Sequence, residues 1–436
     1  DKNIFKQFKT DSAKEGVLVA QRGDSISAMR KAEKKVEMEY LSPMQAHAAM
    51  EPLCATASVT PEGCEIWAPT QSSDFATMMA MGVTKLPPEK IKIQTTYLGG
   101  GFGRKIEYDF LLAPLVASKA LGKPVKITWT REEDTKNDFF RPPFMINMQF
   151  GLDSSGLPDG LKVKLVGPAV SRRWQMPPPW LEENGYDWVV TIGMFDGYNL
   201  PNQKPDLSKS YSIPNLKVDF VPSDIKVPTG AWRSIGTSHN IFALESGLDE
   251  VAVTGGNDPF ELRGKLLSHN SRAIEVLDRA AELSGWGNPS EGRFLGMAYT
   301  DYLETYQVQV AEISVSQRGT VTVHKVTCVA DCGQVFNPHI ARQQLEGGII
   351  FGLTAALKGE INVQNGQIVQ SNFDDYPMLK LKDTPEINVH LIDNHESPGG
   401  LGEAGTPLIG PAVANAVFAA TGKRVRRLPI RRKDLV

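Results

Sequence analysis

The stretch from Ile91 to Thr130 constrains the fold more than any other. Ile91 to Tyr97 predicts a strand, which the cluster Gly99-Gly100-Gly101-Phe102-Gly103-Arg104-Lys105 breaks. Glu107 to Leu121 then predicts a helix ended by Gly122 and Pro124, and Val125 to Thr130 predicts the next strand. A strand, glycine turn, helix, strand order implies α/β layers with backbone amides gathered near a helix start, a natural place for an anion. The P-loop pattern fails, because Arg104 stands where glycine should precede Lys105, and Ile106 replaces the Ser or Thr that would hold magnesium. The pattern GxGxxG fails as well, since from Gly99 its last position is Arg104. The cluster permits positive φ and close approach to a phosphate or flat cofactor, and it serves equally well as a plain tight turn, the commoner use.

Other signals extend this α/β pattern. Asp258-Pro259-Phe260-Glu261 has the N-cap, N1 proline and N3 glutamate of a helix start, and Arg272 to Leu283 carries a helical apolar period. Thr320 to Val329 predicts a strand, Asn337-Pro338 opens a helix through Leu357, and Asn365-Gly366 predicts a type I′ hairpin. Glu386 to Ile392 is a further strand, and a last helix runs from Pro411 to Gly422. The opening to Tyr40 is rich in lysine and glutamate and reads as the end of a linker with a short helix over Ser25 to Lys35. From Ser171 to Asp206, with Trp174, Trp180, Trp188 and Pro177-Pro178-Pro179, an irregular excursion is expected. A chain of 436 residues, 41% of them hydrophobic, can bury the core of two or three domains.

Several function classes fall away. A formal charge of -3 gives no reason to expect nucleic acid or an anionic membrane as the main partner, although the basic tail from Lys423 to Lys433 could dock a subunit or acidic lipid, or simply be solvated. No apolar run is long enough to span a bilayer, and Asp1 to Thr10 has no signal-peptide pattern, so the protein is expected to be cytosolic or to have lost its front end. The four cysteines form no CxxC pair. Cys328 and Cys332 would stand about 13 Å apart on one strand face, too far to share a metal. Cys54 and Cys64 flank the turn at Thr60 to Gly63, where a disulfide is not favoured. Seven dispersed histidines without HExxH argue against a metal held by protein side chains, and GxSxG is absent. Among 50 acidic residues no glycosidase pair is singled out.

Three segments could carry chemistry. Pro398-Gly399-Gly400-Leu401-Gly402-Glu403-Ala404-Gly405-Thr406-Pro407 places one carboxylate in a loop expected to give it no side-chain neighbours. A loop glutamate is commonly just solvated, whereas one held rigidly ahead of a helix can act as a base beside a bound cofactor. Arg233, in Gly230-Ala231-Trp232-Arg233-Ser234-Ile235-Gly236 ahead of an apolar helix over Asn240 to Val253, could orient a carbonyl, carboxylate or phosphate, or form a rim salt bridge. Gln344-Leu345-Glu346-Gly347-Gly348 puts an amide on a helix whose glycines admit close packing against something flat, or against another helix.

In this order, GGGFGRK at 99 to 105, AWRSIG at 231 to 236, QLEGG at 344 to 348 and GLGEAGTP at 400 to 407 resemble the xanthine oxidase family of molybdenum hydroxylases. The chain looks most like the large subunits of its isoquinoline oxidoreductase and membrane-linked aldehyde dehydrogenase branch. Supporting phrases are Ala46-His47-Ala48-Ala49-Met50-Glu51-Pro52, Trp67-Ala68-Pro69-Thr70-Gln71 and Asn372-Phe373-Asp374-Asp375-Tyr376-Pro377, so the likeness runs from about residue 40 to the end. It implies an α+β or α/β fold of mixed sheets with packed helices, with a first molybdopterin-binding domain over 42–289. A second, partial one over 290–436 carries the Glu403 loop, and 1–41 is the linker end.

The resemblance further implies a molybdenum held by molybdopterin cytosine dinucleotide, and an aldehyde or N-heterocycle as substrate. Glu403 would be the base that takes the proton from the attacking hydroxyl. Gly100, Gly101, Phe102 and Gly103 would approach the cofactor, with Phe102 shaping the substrate slot. Gln344 and Gly402 would contact the cofactor, and Arg233 would face the substrate or a developing negative charge. With no iron-sulfur cysteines here, electrons would leave through a small subunit carrying [2Fe-2S] clusters and possibly a cytochrome c subunit, at a periplasmic or membrane-associated location.

The family's glycine-glutamine-glycine loop and serine-rich dinucleotide segment, which lie in the N-terminal half of such subunits, are not found. That half is therefore expected on another piece, and this chain is not expected to hold the cofactor unaided. Ile106 replaces a glutamate of purine-oxidising relatives, which argues against xanthine, and Ser234-Ile235 replaces a more usual Gly-Phe. Two rivals remain: a non-catalytic structural or assembly partner, and a phosphate- or nucleotide-binding protein using only the Gly99 to Gly103 turn.

Overall fold

The structure, a computed structural model, describes residues 2–171, 186–195 and 210–436. Its largest sheet has the order β1 (Val17–Arg22), β9 (Asn215–Pro222), β8 (Pro158–Gly167), β7 (Phe144–Leu152), β2 (Lys34–Ser42), antiparallel except for the β8–β9 pair. Between β2 and β7 the chain builds a second sheet, ordered β5 (Ile91–Thr95), β4 (Cys64–Ala68), β3 (Cys54–Val59), β6 (Val125–Thr128). Helices Ser73–Thr84 and Asp109–Leu121 close it around a core of its own that includes Ile66, Phe110, Leu111 and Leu115. A third sheet follows in the order β10 (Phe294–Thr300), β11 (Tyr306–Val315), β12 (Val321–Asp331), β15 (Glu386–Ile392), with β12 and β15 parallel. Cys328 and Cys332 are buried there, and all four cysteines are free thiols.

The linker expected over 1–41 is corrected by the structure. Helix Lys2–Asp11, β1, helix Ser25–Lys31 and β2 all lie in this stretch, and β1 and β2 are the two outer strands of the largest sheet. In β2 the charged Lys35, Glu37 and Glu39 alternate with buried Val36, Met38 and Tyr40. That period of two is the signature of a half-buried strand, and its abundant charges disguise it. The excursion expected over Ser171 to Asp206 lies mostly outside the described residues; within it, Trp188–Thr191 forms a short helix capped by Asp187.

Helix Thr237–Gly255 joins the two large sheets. It is buried along almost its whole length and packs on β2 and β7, on β10, and on helix Ile409–Thr421. One continuous core runs from Phe150 and Leu161 through Phe242 and Leu248 to Val308, Val326 and Val413. The expected division at 289/290 lies in the turn before β10, but the core crosses it. Each such fully buried apolar side chain contributes about 1.5–3 kcal/mol, and this core positions the loops described next. Asn365 and Gly366 take positive φ between β13 (Val363–Gln364) and β14 (Gln367–Ile368), as a type I′ turn requires.

The basic tail has in-chain partners: Arg424 pairs with Asp249, Arg426 with Glu250, and Arg427 and Arg431 with Glu360. These arginines tie the end of the chain to helix Thr237–Gly255 and to Glu360, so only part of the charge run is solvated.

Candidate functional site

Two glycine-bounded turns meet at one point. Gly103 has φ 106°, and a Cβ there would lie 1.7 Å from the carbonyl oxygen of Ala231, so the 99–105 turn can touch the 230–236 turn only through glycine. Buried groups hold that carbonyl in place. His47 Nε2 lies 2.9 Å from Ala231 O, while Nδ1 and the backbone amide of His47 reach Asp138 at 2.8 and 2.7 Å. Arg104 Nε approaches Asp138 at 3.2 Å and its two terminal nitrogens grip Asp109. Burial works to raise the Asp138 pKa, but the His47 charge and hydrogen bonds, with Arg104, outweigh it and hold the carboxyl below its ordinary value.

The junction carries a stack of rings. Phe102, itself at φ 55°, stacks on Phe351 at 4.7 Å, and Phe351 stacks on Trp232 at 4.6 Å. A non-glycine residue at positive φ costs on the order of 1–3 kcal/mol and persists where the surroundings over-determine it. Ser234 at φ 75° and Ile235 at φ 38° repeat that strain in the second turn.

From the other side comes the loop around Glu403, seated on helix Pro338–Leu357. Gly348 of that helix packs directly on the backbone of Gly405 and Thr406, whereas Gly347 faces open space. Arg233 ties the parts together: Nε donates to Gly402 O at 2.8 Å, and Nη2 donates to Gln344 O and Oε1 at 3.1 and 3.2 Å. Burial lowers the proton affinity of this guanidinium, and the Glu403 charge opposes that. Glu403 does have side-chain neighbours, contrary to expectation. Ser234 N donates to Oε1 at 2.9 Å, Tyr302 Oη donates to Oε2 at 2.8 Å, and Ser234 Oγ donates to the Glu403 carbonyl at 2.7 Å.

Six of the expected residues, Phe102, Gly103, Arg233, Gln344, Gly402 and Glu403, line one cavity of about 340 Å³. Gln71, Ile106, Trp232 and Ile235 contribute to the same wall. Gly100 and Gly101 are not among the lining residues: Gly101 is buried against the Gln71 side chain, and Gly100 lies under the Phe102 ring. Arg233 is also placed differently from expectation, since its Nε and Nη2 serve the protein backbone and Gln344 instead of pointing at a substrate. Tyr302 was not anticipated. It belongs to the β10–β11 turn, far from every motif in sequence, and only the third sheet brings it to Glu403.

Among the described residues no group of three or more His, Cys, Asp or Glu side chains could hold a metal ion, so a metal here would arrive on a ligand of its own. The cavity suits such a group. Its wall offers the exposed Gln344 amide, whose oxygen is taken by Arg233 and whose nitrogen remains a donor, beside the open backbone of Gly402. No carboxylate other than Glu403 lines it.

Residues 8–169 and 284–385 each match a family described as molybdopterin cofactor-binding domain. The chain is 31% identical over 405 residues to the isoquinoline 1-oxidoreductase subunit beta of Brevundimonas diminuta, covering 90% of this chain and 49% of that protein. It is 29% identical to a membrane-bound aldehyde dehydrogenase of Gluconacetobacter polyoxogenes, covering 97% of this chain and 56% of that one. The chain thus spans about half the length of the curated relatives it matches. Among solved structures, the Desulfovibrio gigas aldehyde oxidoreductase superposes with a TM-score of 0.79 at 17% identity, over 97% of this chain and 62% of that one. Quinoline 2-oxidoreductase from Pseudomonas putida 86 gives the same score at 16% identity, over 97% of this chain and 79% of its own. At such identities these likenesses bear on the fold alone.

Proposed function

Because the chain belongs to the xanthine oxidase family of molybdenum hydroxylase large subunits, we propose that it is the catalytic part of a molybdenum-dependent oxidoreductase. Its reaction hydroxylates an aldehyde or an N-heteroaromatic carbon with oxygen derived from water. One observation carries this reading: a single carboxylate, Glu403, is held by two donors in the wall of a cavity that also gathers Phe102, Arg233, Gln344 and Gly402.

The cofactor in this reading is molybdopterin, as the cytosine dinucleotide, held jointly with the N-terminal half of the large subunit. When bound it supplies the metal that delivers oxygen and takes up two electrons. Gln344, Gly402 and the backbone at Gly103 hold it on this chain, while Gly100 and Gly101 back the turn from behind. Glu403 takes up the proton of the attacking group at a carboxylate oxygen, as a general base within reach of the cavity. Arg233 keeps the Glu403 loop pressed to the Gln344 helix, and its field favours negative charge developing in the cavity. Phe102, Ile106 and Ile235 give the slot an apolar wall, which suits a flat aldehyde or azaheterocycle. The electrons pass to a small subunit with [2Fe-2S] clusters and on to a cytochrome c, on the periplasmic side of a membrane.

Glu403→Gln in the assembled enzyme is expected to abolish turnover while molybdenum content stays near normal. A positioned base contributes roughly 10²- to 10⁴-fold, so activity within about tenfold of wild type would count decisively against this reading.

A further inference from the structure

We propose that Tyr302 is the positioning residue of Glu403: its phenol sets the direction of the carboxylate. The inference rests on the reading of Glu403 as the base. Tyr302 is 4% exposed, and its hydroxyl donates to Oε2 at 2.8 Å while Ser234 N donates to Oε1 at 2.9 Å, so each oxygen has one fixed donor from an opposite side. A carboxylate pinned at both oxygens has one orientation, and its remaining lone pairs have defined directions.

The tyrosine is itself fastened to the loop it orients. Gly400 N donates to Leu303 O at 2.8 Å, and Thr305 Oγ1 donates to Gly400 O at 2.9 Å. Gly399 packs so closely under Glu304 that a Cβ would lie 2.6 Å from the Glu304 carbonyl oxygen. Leu303 and Glu304 hold φ of 56° and 60° in succession, without a glycine. A strained two-residue turn retained beside a catalytic loop marks a position that the surroundings over-determine. The turn and the loop therefore move as one body, and the Tyr302 to Glu403 distance is built in.

Removing the phenol leaves Oε2 without its donor and lets the side chain turn.

The test uses the purified holoenzyme complex. Tyr302→Phe keeps the ring and removes the donor. It is expected to leave molybdenum content and KM within about twofold and to lower kcat about ten- to a hundredfold. In infrared spectra, the carboxylate band identified by its loss in Glu403→Gln should shift when the phenol is absent, without any turnover. A Tyr302→Phe enzyme with wild-type kcat or an unshifted band overturns the proposal, as does loss of molybdenum, which would make Tyr302 a packing residue. If Glu403→Gln itself remains active, the base assignment is what has failed, and the two results cannot be confused.

Discussion

Two glutamates in this chain each stand beside an arginine and each accept one tyrosine hydroxyl and one backbone amide, yet they are put to opposite use. Glu245 is wholly buried; Tyr211 Oη donates to it at 2.7 Å, Tyr299 N at 2.8 Å, and Arg263, equally buried, closes an ion pair at 2.9 Å. Glu403 has the same two kinds of donor, but its arginine looks elsewhere, with Nε and Nη2 of Arg233 on Gly402 and Gln344. The difference is whether the carboxylate is locked into a pair. A glutamate inside a dry ion pair cannot take up a proton without stranding its partner's charge. Glu403 sits in the field of Arg233, keeps its orientation from neutral donors, and opens to a cavity, so a proton can come and go.

The most damaging single change to stability should therefore be at Glu245. Glu245→Leu leaves Arg263 buried without its ion-pair partner and is expected to cost roughly 3–5 kcal/mol, read as a large drop in the thermal midpoint. Replacing Arg263 with Met in the same molecule should recover much of the loss. Glu403→Gln should cost no more than about 1 kcal/mol, because the amide oxygen can still accept from Ser234 N while the new NH2 donates to the Tyr302 oxygen, whose hydroxyl turns away. Equal losses at the two glutamates would erase the distinction drawn between them.

Arg233→Lys sharpens the contrast from the arginine side. An ammonium is a single point donor and cannot reproduce the fork that joins Gly402 to Gln344, so about 1–3 kcal/mol of loop ordering is lost. The expected signature is a fall in kcat with little change in overall melting, because the core is untouched. A variant with normal kcat would show that the positive charge, and not the two-sided clamp, is what the site requires.

These residues differ in how far they can be read from the chain itself. Phe102, Gly103, Arg233, Gln344 and Glu403 sit in glycine-rich phrases, and the same backbone freedom that lets the turns approach one another makes them conspicuous in sequence. The hairpin at Asn365-Gly366, the helix capped by Asp258 and strand Glu386–Ile392 are local and came out as expected. Tyr302 had no such signal, because Leu303 and Glu304 adopt left-handed φ without a glycine to announce it. The partners of Arg233 are two backbone carbonyls and an amide more than a hundred residues away in sequence, which no local pattern encodes. Strand β2 is hidden for a different reason: its solvent face carries Lys35, Glu37 and Glu39, and charge density outweighs the alternation beneath it.

A third glutamate lies between the two extremes. Glu51 is one-third exposed, pairs with the fully buried Lys105, and accepts Gly99 N at 3.0 Å, so it anchors both ends of the 99–105 turn. Partial burial alone would raise its pKa, but Lys105 and the Gly99 amide outweigh that and hold it below the ordinary glutamate value near 4.5. The unfolded chain therefore binds the proton first as the solution is acidified. The contribution is complete above about pH 4.5 and is lost as pH falls through the lower, folded value. Solvent screening at a one-third exposed group limits the amount to about 1 kcal/mol or less. Glu51→Gln should accordingly flatten the decline of the thermal midpoint below pH 5 slightly, leaving the neutral end a little lower. Identical slopes would mean that the Lys105 pair contributes nothing once water reaches it, so that among these glutamate–cation neighbours only the sealed Glu245–Arg263 pair supports the fold.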